Sequence, residues 1–142
     1  MRIRIVALGI AVVLIAIMTV PGQSGDEKKG FKPVMHFGGV VLDKEKMKLA
    51  PANGFVTKQE DLEKIWDGWS VKEKMPKLDF AKQLVLVHLA SGPNLITTTY
   101  MLRDGDLTAR SLQTLKAGPG FGFGIDVLNR EGIKTYKGKP VE

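Results

Sequence analysis

Few side chains in this chain could carry chemistry. There are two histidines, His36 and His88, and no cysteine. Among the carboxylates, Asp79, Asp104, Asp106 and Asp126 could supply acid or base chemistry. Two imidazoles and a carboxylate could bind zinc. Neither HExxH nor any other ligand spacing is present, so the reading assigns no metal and no cofactor. Ser70, Ser91 and Ser111 lack a GxSxG elbow, so serine catalysis has no motif behind it. Asp104 and Asp106 flank Gly105, which turn formation explains first. Asp79, before Phe80, suits the entry to a strand.

The glycine-rich stretch GPGFGFGID, residues 118–126, raises the question of phosphate binding. A dinucleotide fingerprint needs glycines at one, three and six, followed by a helix. Counting from Gly118 the sixth place is Phe123, and from Gly120 it is Ile125. A P-loop ending is absent too. Strand parity describes the stretch better. Phe121, Phe123, Ile125 and Val127 share one face, and Gly122, Gly124 and Asp126 share the other. The apolar face belongs on a core. The bare face lets a neighbouring ring or backbone come close, or it forms the floor of a groove. In the groove reading the binding positions are Gly120, Gly122 and Gly124, together with His88.

Other elements must position these residues. Thr57 and Glu60 have capping-box spacing. Leu62, Ile65, Trp66 and Trp69 follow at helical spacing, so a helix is expected from about Lys58 to Trp66 or a turn further. That spacing puts both tryptophans in the core rather than on a sugar. Strands are expected at 34–42, with a bulge or break at Gly38-Gly39, and at 84–89, 96–102, 107–115, 121–128 and 133–136. Asp104-Gly105 is a hairpin signal. The order is strand, helix, then strands at hairpin spacing. It predicts an α+β domain, a mainly antiparallel sheet with one amphipathic helix across a face.

The N-terminus reads differently. Arg2 and Arg4 precede an uncharged run from Ile5 to Val20, and Pro21 to Ser24 offers small residues for cleavage. That is a secretory signal over 1–24, or a retained membrane anchor. Either form implies an extracytoplasmic protein, periplasmic or secreted, that touches membrane only through 5–20 if uncleaved. Residues 25–33 read as a linker and 34–142 as one domain. Loss of Arg2 and Arg4 takes the net charge from +6 to +4. The remaining arginines are well apart, which excludes a nucleic-acid patch. Without cysteine there is no disulfide, and the domain must hold itself by its core.

The segments FVTKQEDLEKIWDGW and MPKLDFAKQLVLVHL resemble the C-terminal domain of the PrcB-like protease-complex accessory subunit family. Thr57, Leu62, Trp66, Pro76, Asp79, Phe80, Val85 and Val87 carry the resemblance, which extends over about 55–136. Where such domains have a Thr-Gly-Gly-Tyr-like turn, this chain has Ser91-Gly92-Pro93-Asn94. The resemblance implies an exported, non-enzymatic module that binds a protein partner through a strand edge or groove, with no catalytic residues carried over. Thr57, Glu60, Leu62, Trp66, Trp69, Asp79, Phe80, Phe121 and Phe123 are then structural. The competing reading is a small periplasmic hydrolase or ligand-binding protein whose site would use His88, Asp79 and the glycine face.

Overall fold

A computed structural model describes residues 30–142. The expected signal or anchor, and most of the expected linker, lie outside the described residues. The described residues are mainly antiparallel β structure with one α-helix. The nine strands among the described residues are β1 (Gly30–Phe31), β2 (Met35–Val41), β3 (Phe55–Val56), β4 (Gln83–Ser91), β5 (Ile96–Arg103), β6 (Asp106–Gln113), β7 (Phe121–Asn129), β8 (Thr135–Tyr136) and β9 (Lys139–Pro140). A 3-10 helix covers Lys44–Leu49, and the α-helix, α1, covers Gln59–Gly68.

The strands form two sheets rather than the one expected. One runs β2-β7-β4-β3 and the other β1-β5-β6-β8-β9. All pairings are antiparallel except β6 with β8. β7 is an inner strand of the four-stranded sheet, between β2 and β4. Every residue from Phe121 to Leu128 is buried because both faces of that sheet are covered. Phe121, Phe123, Ile125 and Val127 face α1, packing with Val85 and Val87 against Leu62, Ile65, Trp66 and Trp69. The opposite face meets the second sheet. There Leu84, Leu86 and Leu128 pack on Tyr100, Leu107 and Tyr136.

The tryptophans anchor the helix side. Trp66 meets Phe37 edge-on at 4.8 Å, and Trp69 lies 5.1 Å from Phe123 and 5.5 Å from Phe121 between ring centroids. Their indole N–H groups donate to Glu73 O and Lys46 O, so neither buried donor is orphaned.

Several expectations are corrected. The capping box does not form. Pairing of β3 with β4 keeps the chain extended through Lys58, so Lys58 is the N-cap and makes no side-chain capping bond. Thr57 then lies one residue too early and Glu60 stands in the first turn, where its charge suits the helix N-terminus. The linker boundary moves as well. Gly30 and Phe31 pair with Met101 and Tyr100, so ordered structure begins before residue 34. There is no bulge at Gly38-Gly39, because β2 pairs with β7 in unbroken register from Met35 to Val41. A Cβ on Gly39 would stand 2.9 Å from the Phe123 ring, so the glycine makes room for that ring. The last strand is split into β8 and β9, so Lys139 and Pro140 are strand rather than tail. The Asp104-Gly105 turn has φ of 52° and 84°, the pattern of a type I′ hairpin.

The bare face of β7 is occupied. A Cβ on Gly122 would fall inside the backbone carbonyl of Asn94. Asn94 is buried and fixed. Its amide donates to Ser91 O and Lys116 O, and its side-chain oxygen accepts from Lys116 N–H and the Thr114 hydroxyl. The groove expected beside Gly120 and Gly122 is therefore closed by chain. Overpacking of this kind costs about 1–3 kcal/mol or more. Gly122→Ala should lower stability by at least that much in urea denaturation. Gly30→Ala, where nothing lies within 4 Å, should leave it unchanged.

Candidate functional site

Among the described residues, two of the three buried polar or charged residues, His88 and Asp126, meet at one place, away from Asn94. Asp126 is the only charged residue in the buried stretch of β7, and its parity turns it toward the second sheet. The register sets His36 of β2 directly beside it. His88, on the other neighbouring strand, is paired with Gly124, two residues along. Gly124 carries no side chain, and a Cβ there would lie 3.7 Å from the His36 ring and 3.8 Å from His88 Cβ. Tyr100 enters from β5 of the opposite sheet.

The hydrogen bonds form a chain. His36 Nδ1 is 2.5 Å from Asp126 Oδ1, and the Tyr100 hydroxyl donates to Asp126 Oδ2. His88 Nε2 is 2.6 Å from the Tyr100 oxygen. Proton counting fixes the directions. Tyr100 has one hydroxyl hydrogen and gives it to Asp126, so His88 must donate Nε2–H to the Tyr100 oxygen. A neutral His88 then keeps a lone pair on Nδ1. His36 donates Nδ1–H to the carboxylate and leaves Nε2 on its exposed side, for its side chain is 47% accessible.

Burial dominates the titration of the two inner groups. It lowers the His88 pKa to about 4, against the attraction of Asp126, with Lys137 and His36 adding to the lowering. Burial also drives the Tyr100 pKa far upward, reinforced by its hydrogen bond to Asp126. Tyr136 is pushed up to about 12, again mainly by burial. His88 is therefore neutral at neutral pH, with Nε2–H donated to Tyr100 and the Nδ1 lone pair left to accept, and Tyr100 keeps its hydroxyl proton.

The other predicted positions do not join this cluster. Asp79 accepts from Ala81 N–H and closes the turn into β4. Phe80 packs on the helix-side core, and its carbonyl accepts from Arg130. Gly120, at φ 88°, lies against the Val41 carbonyl. Of the four positions named for binding, Gly124 and His88 reach the cluster, and Gly120 and Gly122 do not. Among the described residues no group of three or more His, Asp or Glu is placed to hold a metal ion. Asp126 lies within hydrogen-bonding distance of His36, and the Tyr100 hydroxyl bridges it to His88. Sequence reasoning missed Tyr100, treated only as a strand former, and the pairing of His36 with Asp126. The available signal was parity: Asp126 shares an inward face with glycines and Leu128.

The arrangement is an oriented Asp–His pair extended by a tyrosine to a second, buried histidine. It can hold an imidazole in one tautomer, and its hydrogen bonds tie the two sheets together. Comparison with family models, with curated proteins and with solved structures finds no match for this chain.

Tyr100→Phe removes a donor to a buried carboxylate and strands the His88 N–H. Hydrogen bonds to charged groups contribute about 1.5–3 kcal/mol, and a loss of that size is expected in urea denaturation. A loss below about 0.5 kcal/mol would mean the chain of bonds contributes nothing. The pH dependence follows from His88. Its pKa falls from 6.5 unfolded to about 4 folded, so between those values the unfolded state binds more protons. The stabilisation is complete above about pH 6.5 and is lost as pH falls toward 4, by roughly 3 kcal/mol in all. The groups facing His88 are Asp126, Tyr100, His36 and Lys137. The stability difference between wild type and His88→Gln should shrink across that window, and a constant difference would refute the assignment.

Proposed function

We propose that this is an exported, non-enzymatic module of the cell envelope that binds a protein partner by adding the partner's strand to β2. Arg2, Arg4 and the apolar run 5–20 support export. The resemblance over Phe55–Phe80 supports an accessory role.

One observation carries the reading: β2 is an unguarded edge. It is outermost in its sheet, and among the described residues no strand pairs with its outer side. Native proteins blunt such edges with lysine, proline or a bulge. From Val34 to Leu42 this segment has no Lys, Arg, Asp, Glu or Pro, and its register is unbroken. Leu42 is 72% exposed and Val34 50%, with Met35 and Val40 also exposed. Seven residues offer about 24 Å of backbone to an incoming strand, and strand addition draws its affinity from that backbone.

A photoreactive residue at position 40 should crosslink an envelope protein, whereas one at Glu63 on the outer face of α1 should not. Met35→Lys with Val40→Lys should cut capture at least about tenfold without changing the fold. Equal crosslinking at both positions, or undiminished capture by the double variant, would sink the proposal.

A second reading, as a hydrolase, has one observation in its favour: buried Asp126 orients His36 as it would a general base. Among the described residues no hydroxyl is bonded to His36 Nε2. Hydrolysis of ester substrates that disappears in a folded His36→Ala variant would favour this reading over the first.

A further inference from the structure

At the end of the sandwich remote from β2 the two sheets part. β8 pairs with β6 only at Asp106 and Leu107, and β3 covers β4 only as far as the bond from Val87 N–H to Gly54 O. Beyond these points lies a cavity of about 420 Å³. Asn53, His88, Ser111, Tyr136, Lys137 and Lys139 contribute its polar groups. No carboxylate lines it. The Lys139 ammonium is 3.3 Å from the neutral Asn53 side-chain oxygen, and that of Lys137 lies 5.2 Å from the Tyr136 ring centroid. Neither lysine is ion-paired among the described residues.

The cavity's rim is built rather than incidental. Lys137 has φ of 50°, left-handed backbone that a non-glycine residue adopts at a cost of about 1–2 kcal/mol. Asn or Gly is the usual occupant of such turns. Here the turn is pinned from beneath. Lys137 N–H donates to Leu107 O, and Asp106 accepts from both the Gly138 N–H and the Thr135 hydroxyl. These bonds keep the Asp106 carboxyl below its ordinary pKa. On the cavity's inner wall stands His88, whose Nε2–H is committed to Tyr100. Its Nδ1 lone pair has no partner among the described residues.

We propose that this cavity binds a small oxyanion that carries its own O–H donor, monohydrogen phosphate being the simplest. The two ammonium groups take the charge, and His88 Nδ1 accepts the hydrogen bond from the ligand's hydroxyl. Sulfate matches the size and charge but has no hydrogen to give. Its oxygen would confront the His88 lone pair, and a buried acceptor left unpaired is costly. The chain Asp126–Tyr100–His88 fixes the tautomer that leaves this lone pair on Nδ1, so the interior network sets the selectivity of the cavity.

The test is calorimetric titration of the full chain with inorganic phosphate and with sulfate. Both are run at equal ionic strength and slightly above neutral pH, where His88 is neutral. Phosphate should bind saturably and sulfate at least about tenfold more weakly, the equivalent of one hydrogen bond. Lys137→Gln, an exposed change that keeps the fold, should weaken phosphate at least about tenfold and leave thermal stability without phosphate unchanged. Phosphate should also shift the His88 imidazole resonances. Three results would each overturn the proposal: no saturable binding, equal binding of the two anions, or undiminished binding by Lys137→Gln.

Discussion

The two sheets are joined through one carboxylate. Taking an ionised carboxylate out of water costs several kcal/mol unless donors replace the lost hydration. Asp126 obtains them from His36 in its own sheet and from Tyr100 in the other. Those bonds constrain more than themselves. A one-residue slip of β7 would turn Asp126 into the helix-side core among Phe121, Phe123 and the tryptophans. The register of β2 on β7 and the stacking of the sheets are thus specified by the same carboxylate.

The glycines of β7 belong to this arrangement. Their missing side chains are where the second sheet comes down, with Asn94 filling the space over Gly122 and the two imidazoles flanking Gly124. A strand with side chains at every inward position would hold the sheets too far apart for Tyr100 to reach Asp126. Close approach at Gly122 and the polar contact at Asp126 are two parts of one interface. The apolar contacts of Leu84, Leu86 and Leu128 with Tyr136 and Leu107 complete it.

Local pattern made part of this legible and distance in sequence hid the rest. The helical stripe of Leu62, Ile65, Trp66 and Trp69 could be read because its partners' identity does not matter to the spacing. The β5–β6 hairpin could be read because Asp104-Gly105 is chemistry confined to two residues. The division into two sheets could not. It rests on β4 and β5, consecutive in the chain, falling in different sheets, while β1, β3 and β8 are too short to show any period. The capping box misled because pairing of Phe55 and Val56 with β4 overrode a local preference. The site was hidden because His36 lies 90 residues from Asp126 and Tyr100 lies 26, and nothing in either neighbourhood names the partner.

The place of β7 in the chain has a consequence for how the molecule comes into being. Its neighbours on both sides, β2 and β4, are made earlier, and β7 alone connects them. Until residues 121–129 have emerged, neither core has its central wall, and Met35–Val41 has no strand to lie against. Closure therefore waits for contacts far apart along the chain, the condition that slows folding. A growing or threading chain of this design stays open until residues 121–129 arrive and supply the strand between β2 and β4.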